Sequence, residues 1–433
     1  MKAFREVYSN RNIKILSLTN IIGMFFNMLY MSFWTLFLKQ ELGFTVPLIA
    51  LLTTVQGAQN LLFSLPGGVL ADRIGRKKVT LIAGATGVIN PLIYLLATSW
   101  ELVFLATIFV AMGSLSMPAR TAMVAESLPR DRMGTGYAVY NMANRLPWLF
   151  SGAIGGWLME VMGIGPGTRF CLVGSLIGGI ISLSCQYLFL NETLQRSGHR
   201  TSLKQDLKEI LPMFKGNLKV MMVSSILFQI SAALTQGLLI LYIIDYPSGP
   251  RLTTIEYGLL TTLMSIVSLA MSIPGGTMAD RFNRRKLITF GRSLSPITTL
   301  TWIYIRNYYL IITFRIIQGV GEGLSGAGGM MMLGGPAWSS LMADVVPMEK
   351  RGRVSGLMST FSGIARLPAP NIGAWMWENP AIGPEGTMWT QLIIGLFSTF
   401  LIWSFLKDPV HDVKKIEEPA RDDEDETQGP KSP

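Results

Sequence analysis

With two cysteines, two histidines and 15% charged residues in 433 positions, the chain has few of the groups on which most protein chemistry depends. Cys171 and Cys185 lie in one apolar run about four helical turns apart, so they cannot pair with each other, and no zinc spacing surrounds them. His199 and His411 fall in connecting segments, which removes most metal sites and most histidine-dependent catalysis. No nucleotide-binding glycine loop, Ser–His–Asp set or paired-carboxylate cluster is present. These absences argue against an enzyme, against ATP as the energy source, and against any metal or cofactor.

What the chain does have is apolar length. Hydrophobic residues make up 49% of it and its mean hydropathy is +0.39, which points to lipid as the solvent. A spanning helix needs about 20 mostly apolar residues. Twelve such stretches are expected, near 13–38, 47–71, 77–98, 101–126, 134–160, 168–191, 218–245, 255–279, 286–306, 308–345, 352–378 and 386–407. The first is too long for a signal-peptide core and no small-residue cleavage site follows it, so it is expected to stay as an anchor.

The net charge of +10 is distributed as in a membrane protein, not as in a nucleic-acid binder. With the amino terminus inside and alternate crossings, basic residues gather inside. They lie at Lys2, Arg5, Arg11 and Lys14, after the second and eighth stretches, at Arg130 and Arg132, in the central linker, at Lys350, Arg351 and Arg353, and in the tail. The outside receives Lys39, Arg169, Arg251 and Arg306. This inside bias predicts a multi-pass protein of the plasma membrane with both termini cytoplasmic.

The sequence also repeats itself. "PGGVLADRIGRKK" from Pro66 and "PGGTMADRFNRRK" from Pro274 stand 208 positions apart. "PARTAMVAESLPRDRMG" from Pro118 matches "PAWSSLMADVVPMEKRG" from Pro336 at an offset of 218, and Gly155 and Trp157 match Gly373 and Trp375. About ten residues therefore entered the tenth stretch. Two like-oriented halves imply a pseudo-two-fold axis along the membrane normal. The expected units are a six-helix bundle over 1–191, a linker over 192–217, a second bundle over 218–407 and a disordered acidic tail over 408–433. In the linker, Leu203, Leu207, Ile210 and Leu211 share one face of a short amphipathic helix expected at the inner surface.

Gly68, Asp72, Arg73, Gly75, Arg76 and Lys77 form G-x-x-x-D-R-x-G-R-K between the second and third stretches. This resembles the signature loop of the major facilitator superfamily. The second copy is Gly276, Asp280, Arg281, Arg284 and Arg285, with Asn283 where the family usually has Gly. The resemblance covers nearly all of the chain except the tail. It implies an all-α membrane fold of twelve helices in two six-helix bundles, a secondary transporter for a small organic solute, and a monomer as a sufficient unit. Asp72 sits at a helix C-terminus, where its charge opposes the helix dipole. The family's use implies that Asp72 holds the bundles together on the cytoplasmic face when the cavity opens outward, with Asp280 as a second such latch.

Charges within the membrane cost about 2.5–3.5 kcal/mol on insertion scales and usually serve transport. Arg145 and Arg366, each followed by Leu-Pro, are expected near the middle of the fifth and eleventh stretches. They either face one substrate or tie up carbonyls freed by the prolines. Arg315, Gln318, Gly319 and Glu322 make one polar stripe on the tenth. Arg-x-x-Gln-Gly-x-Gly resembles a family motif of the fourth helix linked to proton coupling, and the fourth stretch here has no basic residue. Glu322 is thus a candidate proton or coupling-ion carrier, or half of a static Arg–Glu pair. Eight glycines between Gly319 and Pro336 predict a broken tenth helix.

"SGAIGGW" (Ser151–Trp157) partly matches the antiporters' Gly-Pro-x-x-Gly-Gly, a lean towards export. Uncharged cavity candidates are Asn20, Asn27, Gln56, Gln59, Asn60, Gln229 and Gln236, with Tyr30, Trp34 and Trp148. Amide and aromatic walls suit amphipathic organic molecules. Proton-linked efflux leads, uptake or exchange of an organic anion on Arg145 and Arg366 follows, and a transport-inactive receptor or scaffold is the rival from another class.

Overall fold

The computed structural model describes residues 10–128, 140, 144–194, 211–325, 336–347 and 350–408, apart from some side chains that include those of Asn60, Gly68 and Asp280. The predicted linker helix, the glycine-rich stretch 326–335 and all of the tail except Asp408 lie outside these residues. Among the described residues the chain is helical and carries no strand.

In the first half the helices are α1 (Arg11–Met31), α2 (Trp34–Gln40), α3 (Val46–Ile74), α4 (Arg76–Leu96), α5 (Trp100–Gly113), α6 (Ser116–Ser127), α7 (Leu146–Met162) and α8 (Ile164–Phe189). The second half has α9 (Asn217–Leu234), α10 (Leu239–Ile244), α11 (Thr254–Arg281), α12 (Arg284–Tyr304), α13 (Tyr308–Ser325), α14 (Pro336–Val345), α15 (Arg351–Arg366), α16 (Ala369–Glu378) and α17 (Gly383–Phe405). Among the described residues, eight candidate spans are long and apolar enough to cross a membrane. Leu62, Ile273 and Tyr309 are 70%, 77% and 78% exposed, as expected of helices whose outer face meets lipid.

Several stretches expected as one helix are two. The first breaks after Met31 and the seventh between Leu234 and Leu239, matching positions of the repeat. The eleventh breaks at Leu367-Pro368, where proline supplies no N–H to continue the ladder. Local rules fix the other ends. Asn10 accepts from the Asn12 and Ile13 amides (2.9 and 3.4 Å), and Thr253 and Glu256 form a reciprocal capping box at the start of α11.

Both ends of each half meet at one end of the molecule. Asn12 and Asn191 exchange side-chain-to-backbone hydrogen bonds (3.3 and 3.0 Å), and Asn217 and Lys407 do the same (2.7 and 3.0 Å). We call this the terminal end. The cores divide accordingly. At the far end one cluster joins Phe33, Trp34 and Tyr94 to Tyr242, Trp302 and Trp377, so it belongs to both halves. At the terminal end the first half has its own clusters around Ile13 and Met123 and around Ala71 and Ala119. The second half has a separate one around Met221, Trp338 and Met358. Among the described residues the halves share a core at the far end alone.

Candidate functional site

The repeated turn is built differently in its two copies. Gly75 closes α3 at φ +103°, a conformation that side chains rarely adopt, and a Cβ there would meet the Glu192 carboxylate. Glu192 accepts hydrogen bonds from the Arg76 and Lys77 amides (3.0 and 3.1 Å), which caps α4 with a negative charge. In the second copy Asn283 has φ −59°, so no glycine is needed, and its side chain accepts from the Lys286 amide (3.2 Å). There Asp408 takes the role of Glu192 and accepts from the Arg284 amide (2.8 Å).

The arginine of each turn pairs within its own half. Arg76 binds Glu126 at the end of α6, and Arg284 binds Asp344 at the end of α14. Sequence reasoning saw the duplicated acids at 126 and 344 but gave them no partner, because contacts across fifty or more residues leave no local spacing. Asp72 and Arg73 are exposed and make no hydrogen bond or ion pair among the described residues, and Arg281 is exposed. Gly276 lies half-buried within α11.

Two seams join the halves, and the hydrogen bonds described between halves gather there and at the Gln40–Asp245 contact (2.8 Å), away from the terminal end. In the first seam α7 crosses α11 on small residues. A Cβ on Gly152 would stand 2.7 Å from the Gly258 carbonyl oxygen and would collide with Thr261 Oγ1. One on Gly156 would strike the Thr254 carbonyl. Gly152-x-x-x-Gly156 thus works as a close-approach face against Thr254, Gly258 and Thr262. Glu160 ties it off by accepting from the Thr254 amide and hydroxyl (3.1 and 2.7 Å), and Thr262 Oγ1 accepts from the Ala153 amide (2.8 Å). In the second seam α3 meets α15 and α16. Thr54 donates to the Leu367 carbonyl (3.1 Å) and accepts from Asn371 (3.1 Å), while Gly57 and Gly363 face Leu367 and Leu61.

The intramembrane candidates divide into groups. Arg145 is not mid-helix as expected. It is the exposed N-cap of α7, which begins at Leu146 with Pro147 in its first turn. Arg366 closes α15 next to its break, and its guanidinium donates to Gln236 of the α9–α10 break, not to a carbonyl freed by Pro368. Arg315, Gln318 and Glu322 form a continuous chain. Arg315 donates to Gln318 (2.5 Å), Gln318 donates to Glu322 (3.1 Å), and the Arg315 guanidinium lies 4.3 Å from the centre of the Trp302 ring. Gln318 and Glu322 are both 8% exposed. Asn27 donates to the Tyr30 hydroxyl (2.8 Å) and Asn20 to Asn144 (3.1 Å). Gln56 and Gln59 are half-buried and Gln229 is buried; the side-chain oxygens of Gln59 and Gln229 find no donor among the described residues.

Arg292 was missed. It is 5% exposed in α12, stacked 4.2 Å from the Trp338 ring centre and 5.2 Å from that of Phe228, with the Ser224 hydroxyl 3.5 Å away and no ion pair among the described residues. A lone arginine inside the apolar run 286–306 was the available signal. Among the described residues no cluster of metal-ligating side chains forms.

The family model for the Major Facilitator Superfamily matches residues 16–249 and 221–430. The chain belongs to the major facilitator superfamily. Members of this superfamily are membrane transporters, not enzymes. The chain is 24% identical over 311 residues to a multi-drug resistance efflux pump PmrA homolog of Lactococcus lactis, covering 71% of this chain and 73% of that one. It is 20% identical over 344 residues to the multidrug resistance protein MdtG of Salmonella arizonae, covering 78% and 80%. Among solved structures, a variant of the nucleoside transporter NupG superposes with a TM-score of 0.71 at 12% identity, covering 91% and 98%. The E. coli xylose transporter XylE in its inward open conformation superposes with a TM-score of 0.64 at 14% identity, covering 93% and 96%. These likenesses concern the fold.

Proposed function

We propose that this superfamily member is a secondary active transporter that exports amphipathic organic compounds across the plasma membrane in exchange for protons, by alternating access. Two six-span bundles, residues 1–191 and 218–407, rock about a central cavity, joined by the linker 192–217 and followed by the tail 408–433. The observation that carries this reading is the unequal closure of the two ends. With the termini cytoplasmic, as the basic residues indicate, the shared far-end core and the two glycine seams seal the outer side. The inner side keeps separate cores among the described residues, and Asp72 makes no hydrogen bond or ion pair among them. That is an inward-open state with the latch disengaged. Asp72, and Asp280 in the second copy, re-engage when the outer seams part.

Export is favoured by the names of the PmrA and MdtG relatives and by the uncharged amide and aromatic residues expected along the cavity. In this scheme Glu322 carries the proton, and Gln318 relays its charge state to Arg315. Dye accumulation in cells tests the whole reading. Cells expressing the wild type should hold a lipophilic cationic dye low; an uncoupler and Asp72→Asn should each abolish that. Dye levels equal to those of empty-vector cells across dye classes would refute it. A second reading, transport of an organic anion, draws on Arg366, whose guanidinium is held by an amide and not by backbone. Arg366→Gln separates the two, since it would abolish anion transport and spare cationic-dye export.

A further inference from the structure

The two seams are related by the internal repeat, yet only one is finished. Glu160 and Glu378 are equivalent at the offset of 218, as are Trp157 and Trp375. In the first seam Glu160 accepts two hydrogen bonds from Thr254 at the start of α11. In the second, Glu378 faces the start of α3, where the equivalents of Thr254 and Ile255 at the offset of 208 are Val46 and Pro47. Val46 has no hydroxyl and Pro47 has no N–H. Glu378 is exposed and has no hydrogen bond or ion pair among the described residues. Where the first seam closes, the second leaves a crevice of about 510 Å³ lined by Pro47, Asn371, Trp375, Glu378, Asn379 and Pro380.

The walls of that crevice have one chemistry. Asn371, Trp375 and Glu378 follow i, i+4, i+7 and so share a face of α16, stacking an amide, an indole and a carboxylate. Trp375 is 63% exposed, an open aromatic face next to a negative charge. An interfacial anchoring role accounts for an exposed tryptophan, but not for a carboxylate one turn on with an open crevice beside both. Indole and carboxylate together suit an organic cation, which gains from the ring quadrupole and from the ion pair. Pro47 comes from the first half and the other lining residues from the second, so the crevice exists while the far end is closed.

We infer that this crevice binds an aromatic organic cation, and that the bound cation completes the second seam as Thr254 completes the first. It thereby holds the far end shut, because a ligand shifts a conformational equilibrium by its differential affinity for the two states. The ligand is an inhibitor of opening, not a transported substrate.

Ligand-observed NMR on the purified full chain in detergent, with benzyltrimethylammonium as probe and benzoate as counter-probe, tests this without reference to transport. The cation should bind and benzoate should not, with Glu378→Gln and Trp375→Ala each weakening the cation about tenfold. Gly152→Val, in the other seam, should weaken it by a similar factor by prising the far end open. Crosslinking Gln40→Cys to Asp245→Cys should keep binding at the wild-type level or above. Wild-type affinity in both crevice variants, or equal binding of benzoate, overturns the site. Loss of binding in the crosslinked protein overturns its link to closure, a result that stands even if Gly152→Val does not fold.

Discussion

The sharpest test of the far-end closure is a single methyl group at Gly152. An added Cβ would sit 2.7 Å from the Gly258 carbonyl oxygen, where ordinary contact begins at 3.4 Å. The shortfall of about 0.7 Å cannot be absorbed by a rotamer, since the obstacle is backbone. Overpacking of this kind typically costs about 1–3 kcal/mol. That cost falls on the closed far end alone, because the contact is made between halves, and a coupling of this size shifts the equilibrium roughly 5–150-fold. The distance between spin labels placed at Met162→Cys and Tyr309→Cys, with Cys171 and Cys185 replaced by alanine, reads the far-end gap directly. Both label sites are exposed, one in each half. Gly152→Ala should move population from the short to a longer distance. Gly87→Ala serves as the control, because no atom lies within 4 Å of its added Cβ. An unchanged distance distribution in Gly152→Ala, with the control also unchanged, would refute the claim that this seam limits opening.

Other expectations follow from the same structure. Glu126→Gln should lower the thermal stability of the first half by about 1–3 kcal/mol, because it leaves a largely buried arginine without its acid, and exchanging the pair as Arg76→Glu with Glu126→Arg should recover part of that. Arg292→Met should unfold at or above the wild-type temperature, since a buried cation with no ion pair among the described residues carries a desolvation cost that an apolar side chain of similar length avoids, whereas Trp338→Ala should cost about 3–5 kcal/mol. Glu322→Gln should leave dye binding intact while abolishing the response of transport to an imposed pH gradient, measured in proteoliposomes.

The repeat made much of the fold legible. Once Pro66 and Pro274 were aligned, most helix positions and the likeness of the two turns could be read by eye. The breaks were not, since apolar runs 13–38 and 218–245 give no sign that Ser32 or Thr235 ends a helix. At Arg145 and Arg366 the prolines were visible, but the expectation kept both residues mid-helix. The site was read more weakly than the fold. Asp72 stood out because its motif is contiguous, whereas Glu126, Glu192, Asp344 and Asp408 earn their roles through contacts across 50 to 124 positions. Gly155 and Gly156 match a family motif, whereas Gly152 stands where that motif has another residue, so its packing role was not legible. Its partner Gly258 could be named only once α7 and α11 were seen to cross.

The paired clamps at the terminal end bear on what was duplicated. In each half the first helix is stitched to the last by an asparagine, the acid after the last helix seats the third, and the third is bolted to the fourth by an arginine. Each half is therefore a loop of chain whose two ends are fastened to each other by residues outside 195–210. Two separate polypeptides, divided between Leu194 and Leu211, keep every one of these fastenings, and coexpression of the two is expected to restore dye export.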